Sequence, residues 1–226
     1  MQITPIAHIR TDYKGKFGIP RQSGQAPSSR GRIVFEPAYR RPDALREIEG
    51  FSHLWLIFDF SQVHREVWSA TVRPPRLGGN RRVGVFASRS PFRPNSLGLS
   101  CVRLIGVEQT SDGATLLVAG ADLLDGTPIY DIKPYLPYAD CHPDATGGYT
   151  DEVPRKRLTV DCPASLLETI PSDKRAALLE CLAEDPRPSY QDDPVRIYRM
   201  TFDRFDVAFS VDGDRLTVRE VCRGSD

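Results

Sequence analysis

One segment of this 226-residue chain concentrates arginine in a way that indicates anion binding. Between Val67 and Val107 there is no Asp, Glu or Lys, and Pro and Gly are frequent. The arginines of the segment are Arg73, Arg76, Arg81, Arg82, Arg89, Arg93 and Arg103. Because a guanidinium donates parallel hydrogen bonds to phosphate or carboxylate, this composition predicts an anion-binding surface. A solvated loop that carries ordinary surface charge is the alternative interpretation.

A second group of reactive side chains follows an apolar run and occupies residues 122–138. It combines acids, tyrosines and a lysine between prolines: Asp125, Tyr130, Asp131, Lys133 and Tyr135. Polar groups on a rigid loop at the end of a strand are typical of binding and catalytic sites. The alternative is a tight turn in which Asp125 only caps its own backbone.

The cysteines and histidines have neither the spacing of a metal site nor that of a hydrolase triad. The five cysteines include no Cys-x-x-Cys pair, and the four histidines are dispersed along the chain. Zinc sites and His-centred triads need such groups to converge, and nothing in the spacing favours that. We therefore predict no bound metal, and structural or surface roles for the lone histidines.

Charge is segregated along the chain, although the total is neutral, with 30 Lys and Arg against 30 Asp and Glu. Acidic residues concentrate at 122–151 and 185–193, away from the arginine-rich segment. A local basic face can therefore hold a polyanion. No apolar run approaches the roughly 20 residues of a membrane helix, and the N-terminus lacks the pattern of a signal peptide. These features predict a cytoplasmic protein without membrane association.

Short β-type runs separated by Gly- and Pro-rich loops must position the reactive residues. We predict strands at 3–10, 32–35, 53–60, 83–87, 97–107 and 115–121. We also predict one helix at 41–50, with Leu45 and Ile48 facing the core. This succession is typical of a mainly β fold, as an antiparallel sheet or barrel, and not of alternating βα units.

A polar, turn-rich stretch near residue 149 predicts a division of the chain into domains. We expect a first domain at 1–148, a linker at 149–160 and a small C-terminal α+β domain at 161–226. Helices are predicted at 163–170 and 172–183, followed by strands at 195–200, 205–211 and 215–221. Asp212-Gly213 predicts a hairpin turn between the last two strands.

Taken together, five segments of the chain closely resemble the TsaA-like family typified by TrmO. They are Pro20-Arg-Gln22, Phe51-Ser-His-Leu-Trp55, Thr71 to Gly79, Phe86 to Gly98, and Asp125-Gly-Thr-Pro128 through Asp131-Ile-Lys-Pro-Tyr-Leu-Pro137. The resemblance covers residues 1–145 densely, and Asp185-Pro-Arg-Pro188 resembles the C-terminal extension of bacterial members. Motifs of this length and order are far more specific than a short pattern.

The resemblance implies an activity, a cofactor and a fold. Members of the family use S-adenosylmethionine to methylate N6 of N6-threonylcarbamoyladenosine next to the anticodon of tRNA. They bind the cofactor on a single-sheeted β-barrel at a homodimer interface. No Gly-x-Gly occurs in this chain, so a Rossmann-type cofactor site is disfavoured independently.

The resemblance also assigns cofactor contacts residue by residue. They are Pro20, Arg21, Gln22, Ser61, Gln62, Arg89, Leu97, Asp125, Gly126, Thr127 and Pro128. Family members commonly carry His where Ser61 stands, so a contact at that position would come from the backbone.

The chemistry of the cofactor and of tRNA suggests a role for each type of side chain. Arg21 or Arg89 would bind the cofactor carboxylate, and Asp125 would bind its ribose or adenine amine. Asp131 or Tyr135 would act as general base toward the acceptor N–H. The predicted RNA contacts are Arg73, Arg76, Arg81, Arg82, Arg93 and Lys133.

Two other classes of function stay open on the residues alone. A non-catalytic RNA-binding module would use the arginines as phosphate clamps and would bind no cofactor. A phosphate-ester hydrolase would instead use Asp125 and Asp131 to hold a metal ion.

Overall fold

A computed structural model describes residues 2–74, 77, 81–111, 113–153, 156–188, 191 and 193–224 of the chain. Its strands are β1 Ala7–Thr11, β2 Arg30–Phe35, β3 His53–Asp59, β4 Thr71–Val72, β5 Val83–Gly84, β6 Leu97–Thr110, β7 Gly113–Ala119, β8 Pro128–Pro134, β9 Thr159–Asp161, β10 Tyr198–Phe202, β11 Phe205–Asp212 and β12 Arg215–Arg223. Its α-helices are α1 Pro137–Asp140, α2 Ala164–Leu167 and α3 Ser172–Ala183.

Six antiparallel strands form a closed barrel in the order β1-β2-β7-β6-β3-β8, and β8 pairs back with β1. Side chains of β3 alternate, so Leu54, Leu56 and Phe58 face an interior that also holds Ile33, Leu116 and Ile129. Burying each such side chain stabilises the fold by roughly 1.5–3 kcal/mol. The predicted mainly β architecture is confirmed.

Gly98 of β6 lies directly across from Phe58 of β3. A Cβ atom at position 98 would overlap the Phe58 ring, so the backbone approach of these two strands requires glycine. The strands therefore meet closely at the end of the barrel where β3 ends and β6 begins.

A second core lies under the sheet β10-β11-β12-β9, in which β9 runs parallel to β12. Leu178, Cys181 and Leu182 of α3 pack against Phe202, Phe205, Phe209 and Val211 of this sheet. Tyr13 and Ala26 from the segment between β1 and β2 belong to the same core, and Phe17 and Ile19 pack on it. The long connection between the first two barrel strands is thus anchored on the C-terminal sheet.

An ion triplet joins the same two regions. Lys174 Nζ lies 2.6 Å from Asp12 Oδ1 and 2.8 Å from Asp203 Oδ2. Partial burial lowers the pKa of Lys174, but hydrogen bonds and charge from the two aspartates outweigh this and raise it. The amine therefore stays charged between the two carboxylates.

Several predicted elements differ in the structure. Residues 41–50 form short 3-10 turns at Pro42–Leu45 and Ile48–Gly50 instead of a helix. Glu47 has a φ of 67°, which an α-helix does not allow, and a ten-residue helix has little stability of its own. Leu45 and Ile48 nevertheless pack on the barrel core as expected.

Further boundaries differ, and one turn matched. The strands predicted at 3–10 and 195–200 are Ala7–Thr11 and Tyr198–Phe202. The predicted strand 83–87 is β5 followed by a 3-10 turn at Val85–Ala87, and the predicted helix 163–170 is shortened to α2. Residues 159 and 160 of the predicted linker belong to β9 because they pair with β12. The hairpin at Asp212-Gly213 is confirmed, with Gly213 at a φ of 57°. Among the described residues, no helix is long and apolar enough to cross a membrane.

Candidate active site

A cleft of about 630 Å³ opens at one end of the barrel. Because neighbouring strands are antiparallel, the ends of β1, β3 and β7 and the starts of β2, β6 and β8 share this end. The connections that leave these strands form the walls. They include residues 16–22, 60–63, 88–93 and 122–127.

Eight of the residues predicted to contact the cofactor line this cleft. They are Pro20, Arg21, Gln22, Ser61, Gln62, Arg89, Leu97 and Thr127. These positions come from four separate stretches of sequence, so only the barrel topology brings them together. Phe58, Leu99 and Leu123 supply apolar surface between them.

The two arginines of the cleft have different surroundings. Arg89 donates from Nη1 to Gln22 Oε1 at 2.7 Å, which connects two walls of the cleft. Arg21 donates from Nη2 to the carbonyl oxygen of Arg187 at 3.1 Å. Arg187 is buried and forms a two-pronged pair with Asp185 at 2.9 and 3.0 Å. The C-terminal region therefore holds Arg21 in place.

Lys16 fixes another wall of the cleft. Its Nζ donates to the Gln62 carbonyl oxygen at 2.9 Å, which ties the 16–22 segment to the turn after β3. The amide of Val63 donates to the Phe60 carbonyl oxygen at 3.0 Å and closes that turn. Ser61 and Gln62 are consequently presented at its tip.

Asp125, Gly126 and Pro128 are not part of the cleft lining. The Asp125 carboxylate accepts a hydrogen bond from the Thr11 amide at 2.9 Å and lies 2.9 Å from Lys14 Nζ. Gly126 adopts a φ of 77°, which favours glycine, and its amide donates to the Ile9 carbonyl oxygen at 2.8 Å. This part of the motif fastens the loop to β1, and the cofactor contact of Asp125 stays a prediction.

Asp122 is the cleft residue that sequence reasoning missed. Its Oδ1 accepts a hydrogen bond from Ser100 Oγ at 2.6 Å, and both residues line the cleft. Burial raises the pKa of Asp122, while the Ser100 hydroxyl and the Arg89 guanidinium act in the opposite direction. The available signal was its position three residues after the buried strand β7 ends.

Asp131 lies on β8 and Tyr135 follows the end of this strand. Neither residue is part of the cleft lining. At about 3.3 Å per strand residue they are roughly 13 and 26 Å along the chain from Thr127. Asp131 Oδ2 pairs with Lys133 Nζ at 3.0 Å, and the Tyr135 ring packs against His53 and Trp55. Partial burial raises the pKa of Tyr135, with Cys141 and Asp140 adding to the effect. One chain alone does not bring either group to the cleft.

The predicted RNA contacts fall into two groups. Arg73, Arg81, Arg82 and Lys133 are exposed, whereas Arg93 donates to the carbonyl oxygens of Ser88 at 2.6 Å and Val85 at 3.2 Å. Arg93 thus shapes the loop that carries Arg89. Arg76 lies outside the described residues.

Aromatic side chains border the arginines near the cleft. The Arg65 guanidinium lies 3.7 Å from the centre of the Phe92 ring, and Phe86 is 72 % exposed beside Trp68. Rings and guanidinium planes of this kind are the usual stacking partners of unpaired bases.

A polar chain lies at the same end of the barrel and includes His64, which was expected to be a structural or surface residue. Asp59, a buried residue of the cleft wall, lies 2.6 Å from His64 Nε2. Burial and then the negative charge of Asp59 raise the pKa of Tyr130. The aspartate is therefore shared between an exposed histidine and a tyrosine.

The described residues contain no group of three His, Cys, Asp or Glu side chains arranged to hold a metal ion. Asp125 and Asp131, the ligands that a hydrolase would need, each pair with a lysine instead.

Comparison with known proteins places this geometry in a family. The N-terminal domain model of tRNA-methyltransferase O matches residues 8–141, and the TrmO C-terminal domain model matches residues 158–224. The tRNA (adenine(37)-N6)-methyltransferase of Escherichia coli is 45% identical over 196 residues, which cover 84% of this chain and 83% of that protein.

Two further relatives agree with this result. A Pseudomonas aeruginosa protein named a putative S-adenosylmethionine-dependent methyltransferase is 42% identical over 203 residues, covering 84% of this chain and 83% of the relative. A crystal structure of TrmO from Pseudomonas aeruginosa superposes with a TM-score of 0.80 at 36% identity, covering 99% of this chain and 97% of the other. On these matches and on its cleft, this chain belongs to the tRNA-methyltransferase O family.

Proposed function

We propose that the protein transfers a methyl group from S-adenosylmethionine to N6 of an adenine in tRNA, and that the adenine is N6-threonylcarbamoyladenosine next to the anticodon. The observation that carries the proposal is the gathering of Pro20 to Gln22, Ser61, Gln62, Arg89, Leu97 and Thr127 around one cleft. The activity named for the Escherichia coli relative supports it.

The residues of the cleft fit the cofactor. A volume of about 630 Å³ lies within the range of sites for small organic ligands. Arg89 provides guanidinium donors for the carboxylate of the cofactor, and Phe58 and Leu123 provide apolar surface for its adenine. When bound, S-adenosylmethionine supplies an electrophilic methyl group on a cationic sulfur.

The contribution of the protein is to orient two reactants and to exclude water. Arg89 and Gln22, joined by a hydrogen bond, fix one end of the cofactor. The acceptor nitrogen carries a proton between an adenine ring and a carbamoyl group, so it is more acidic than an ordinary amine. A general base would take that proton, and Asp131 and Tyr135, brought to the cleft by a second copy of the chain, remain our proposed bases. The raised pKa of Tyr135 keeps its hydroxyl protonated, so Asp131 is the stronger candidate.

The position of these two bases supports a homodimer as the active form. The outer face of β6 exposes Leu97, Leu99 and Ile105, and Leu99 is 55 % exposed. Ile57 of β3 pairs with Leu99 of β6 on one side and with Asp131 of β8 on the other. Leu97 and Leu99 also line the cleft. A partner docked here by two-fold symmetry would close the cleft and could bring its own β8 side chains toward it.

The tRNA would approach from the arginine-rich side. The exposed Arg73, Arg81 and Arg82, together with Arg76 and Lys133, are proposed to contact phosphates, which adds affinity without selecting the base. Phe92, beside Arg65, is a stacking surface for the splayed base. The chain would work where tRNA matures, in the cytoplasm.

We further propose that the domains expected from the composition of the chain have different functions. Residues 1–148 would form the methyltransferase domain as a single-sheeted barrel, 149–160 the linker, and 161–226 a supporting domain. Two hydrophobic cores, one inside the barrel and one under the C-terminal sheet, support this division, and Tyr13 and Ala26 of the first domain tie it to the second core.

Calorimetric titration with S-adenosylmethionine and S-adenosylhomocysteine tests the proposal, together with methyl incorporation into tRNA with and without the threonylcarbamoyl group. We expect both ligands to bind, and Arg89→Ala to weaken binding by about 1–3 kcal/mol because a charge-assisted hydrogen bond is lost. Arg82→Ala, an exposed arginine outside the cleft, is the matched control. RNA affinity without cofactor binding would instead identify an RNA-binding module, and equal rates on both tRNAs would remove the substrate assignment.

A further inference from the structure

Two aromatic side chains lie open to solvent beside the cleft and are not part of its lining. Trp68 is 48 % exposed and Phe86 is 72 % exposed, with their ring centres 6.2 Å apart and their planes tilted by 34°. Neither residue belongs to the barrel core or to the core of the C-terminal sheet. Large apolar side chains that are exposed together mark a surface for a partner.

The backbone holds the two rings at one end of a short hairpin. β4 and β5 pair as antiparallel strands, and Trp68 lies three residues before β4 while Phe86 lies two residues after β5. The Val85 amide donates to the Ala70 carbonyl oxygen at 2.9 Å, which joins the two segments next to the rings. The position of the pair is therefore fixed, although its side chains are exposed.

Arginines lie at both ends of this hairpin. Arg93 lines the cleft, and its guanidinium carbon lies 5.9 Å from the centre of the Phe86 ring. The exposed Arg73 and Arg82 adjoin the opposite ends of the two strands. Residues 67–107 include no Asp, Glu or Lys. A partner that suits this surface combines a flat apolar group with negative charge.

A second copy of the chain fits the surface poorly. A two-fold interface brings the same patch of both subunits together, so the arginines around the hairpin would face their own counterparts. Like charges that meet in this way oppose association. An unpaired nucleotide has both of the required properties, because its base stacks on an aromatic ring and its phosphate pairs with a guanidinium.

We propose that Trp68 and Phe86 form a stacking platform for the unpaired nucleotide that adjoins the methylated adenosine in tRNA. This inference rests on the proposed function, in which the cleft takes the methylated base, and Arg93 connects the cleft to Phe86. The stacking platform holds the neighbouring base outside the cleft, so the target base is free to turn into it. Because every base has a π-face, the presence of the neighbouring base matters more than its identity.

The first test measures stacking on Trp68 directly. Trp55 and Trp68 are the two tryptophans of the chain, so Trp55→Phe leaves only Trp68. A saturating stem-loop RNA with N6-threonylcarbamoyladenosine should quench its fluorescence, because a stacked base deactivates the excited indole. RNAs that lack the base on the 5′ or on the 3′ side of the target should show which neighbour is responsible. RNA that binds without quenching Trp68, or quenching that survives both abasic changes, would overturn the proposal.

The second test measures what the stacking platform contributes to RNA affinity. Trp68→Ala and Phe86→Ala should each weaken binding of the same RNA about tenfold, and Trp68→Phe should retain most of the affinity. Affinity for S-adenosylhomocysteine should not change, because both rings lie outside the cleft lining. Tyr39→Ala is the matched control, since Tyr39 is 42 % exposed in a 3-10 turn after β2, at the other end of the barrel.

The outcomes separate this inference from the function beneath it. If the wild-type chain neither binds S-adenosylhomocysteine nor methylates tRNA, the proposed function fails. If it methylates tRNA and the Trp68 and Phe86 variants bind RNA as tightly as the wild type, only the stacking platform fails. A shift of Trp68 emission with rising protein concentration in the absence of RNA would assign the rings to a contact between chains and would also overturn it.

A variant that does not fold is identified by thermal melting. The affinities of the wild-type chain for the intact RNA and for the two abasic RNAs then decide the question. Loss of one neighbouring base should weaken binding about tenfold, whereas equal affinity for all three RNAs would overturn the proposal without any mutation.

Discussion

Asp122 and Asp125 belong to one loop but face opposite sides of it. Asp122 reaches the cleft and Ser100, whereas Asp125 reaches β1 through the Thr11 amide. The structure places this loop beside the cleft, and Thr127 is part of the lining. The motif did not distinguish the two carboxylates, because the direction of a side chain on a loop depends on turns such as the one at Gly126.

We predict that Asp125 contributes to folding more than to cofactor binding. Asp125→Asn removes the charge that pairs with Lys14 and weakens the bond to the Thr11 amide, so the free energy of unfolding should fall by about 1–3 kcal/mol. Urea denaturation measures this loss, and titration with S-adenosylhomocysteine should show a smaller change than Arg89→Ala causes. A stable Asp125→Asn variant with strongly impaired binding would restore the original assignment.

At the scale of elements, the strands were predictable and the short helices were not. β3, β6 and β7 follow from alternating apolar residues, since one face of each is buried in the barrel. Residues 41–50 carry a proline near the start and a glycine at the end, as many helices do. The segment nevertheless forms two short 3-10 turns, because Glu47 between them has a positive φ. Several of the motif segments line the cleft. The hydrogen bond from Arg21 to the Arg187 carbonyl oxygen could not be predicted, because it joins elements that are distant in sequence.

The close approach of β3 and β6 leads to a prediction at the same scale. Gly98→Ala should reduce the free energy of unfolding by about 1–3 kcal/mol, because the added methyl group collides with Phe58. Cofactor affinity should fall as well, since both residues line the cleft. Urea denaturation and calorimetry measure the two effects.

Two variants make this prediction specific. Phe58→Leu in the Gly98→Ala background should recover part of the stability, because a smaller side chain leaves room for the methyl group. Gly84→Ala, at a position with open space around it, should be nearly neutral. A Gly98→Ala protein as stable as the wild type would show that the strands separate at little cost.

At the scale of the whole molecule, a buried pair joins the barrel to the C-terminal unit. The hydroxyl of Tyr13 lies 3.5 Å from Cys181 Sγ and donates to Ser29 Oγ at 2.9 Å. Burial raises the pKa of Tyr13 strongly and raises that of Cys181 to about 12. Both groups therefore remain protonated in the folded protein well above neutral pH.

This pair predicts a loss of stability in alkaline solution. Above roughly pH 9 the Cys181 thiol loses its proton in the unfolded protein and keeps it in the folded protein. The unfolded state then binds fewer protons, so the free energy of unfolding falls as the pH rises. The slope should be about 1.4 kcal/mol per pH unit from Cys181. Urea denaturation between pH 7.5 and 10.5 measures it. Cys181→Ala should flatten the dependence, whereas Cys222→Ala, an exposed position, should not.

The packing of the segment between β1 and β2 has an evolutionary consequence. Tyr13, Phe17 and Ile19 complete the core of the C-terminal sheet, and the same segment continues into Pro20 to Gln22 of the cleft. A gene that lost the sequence after residue 157 would expose these apolar side chains and would also remove the support of one wall of the cleft. Such a deletion could persist only with polar replacements at those positions and a new support for the wall, so the two halves should be inherited as a pair.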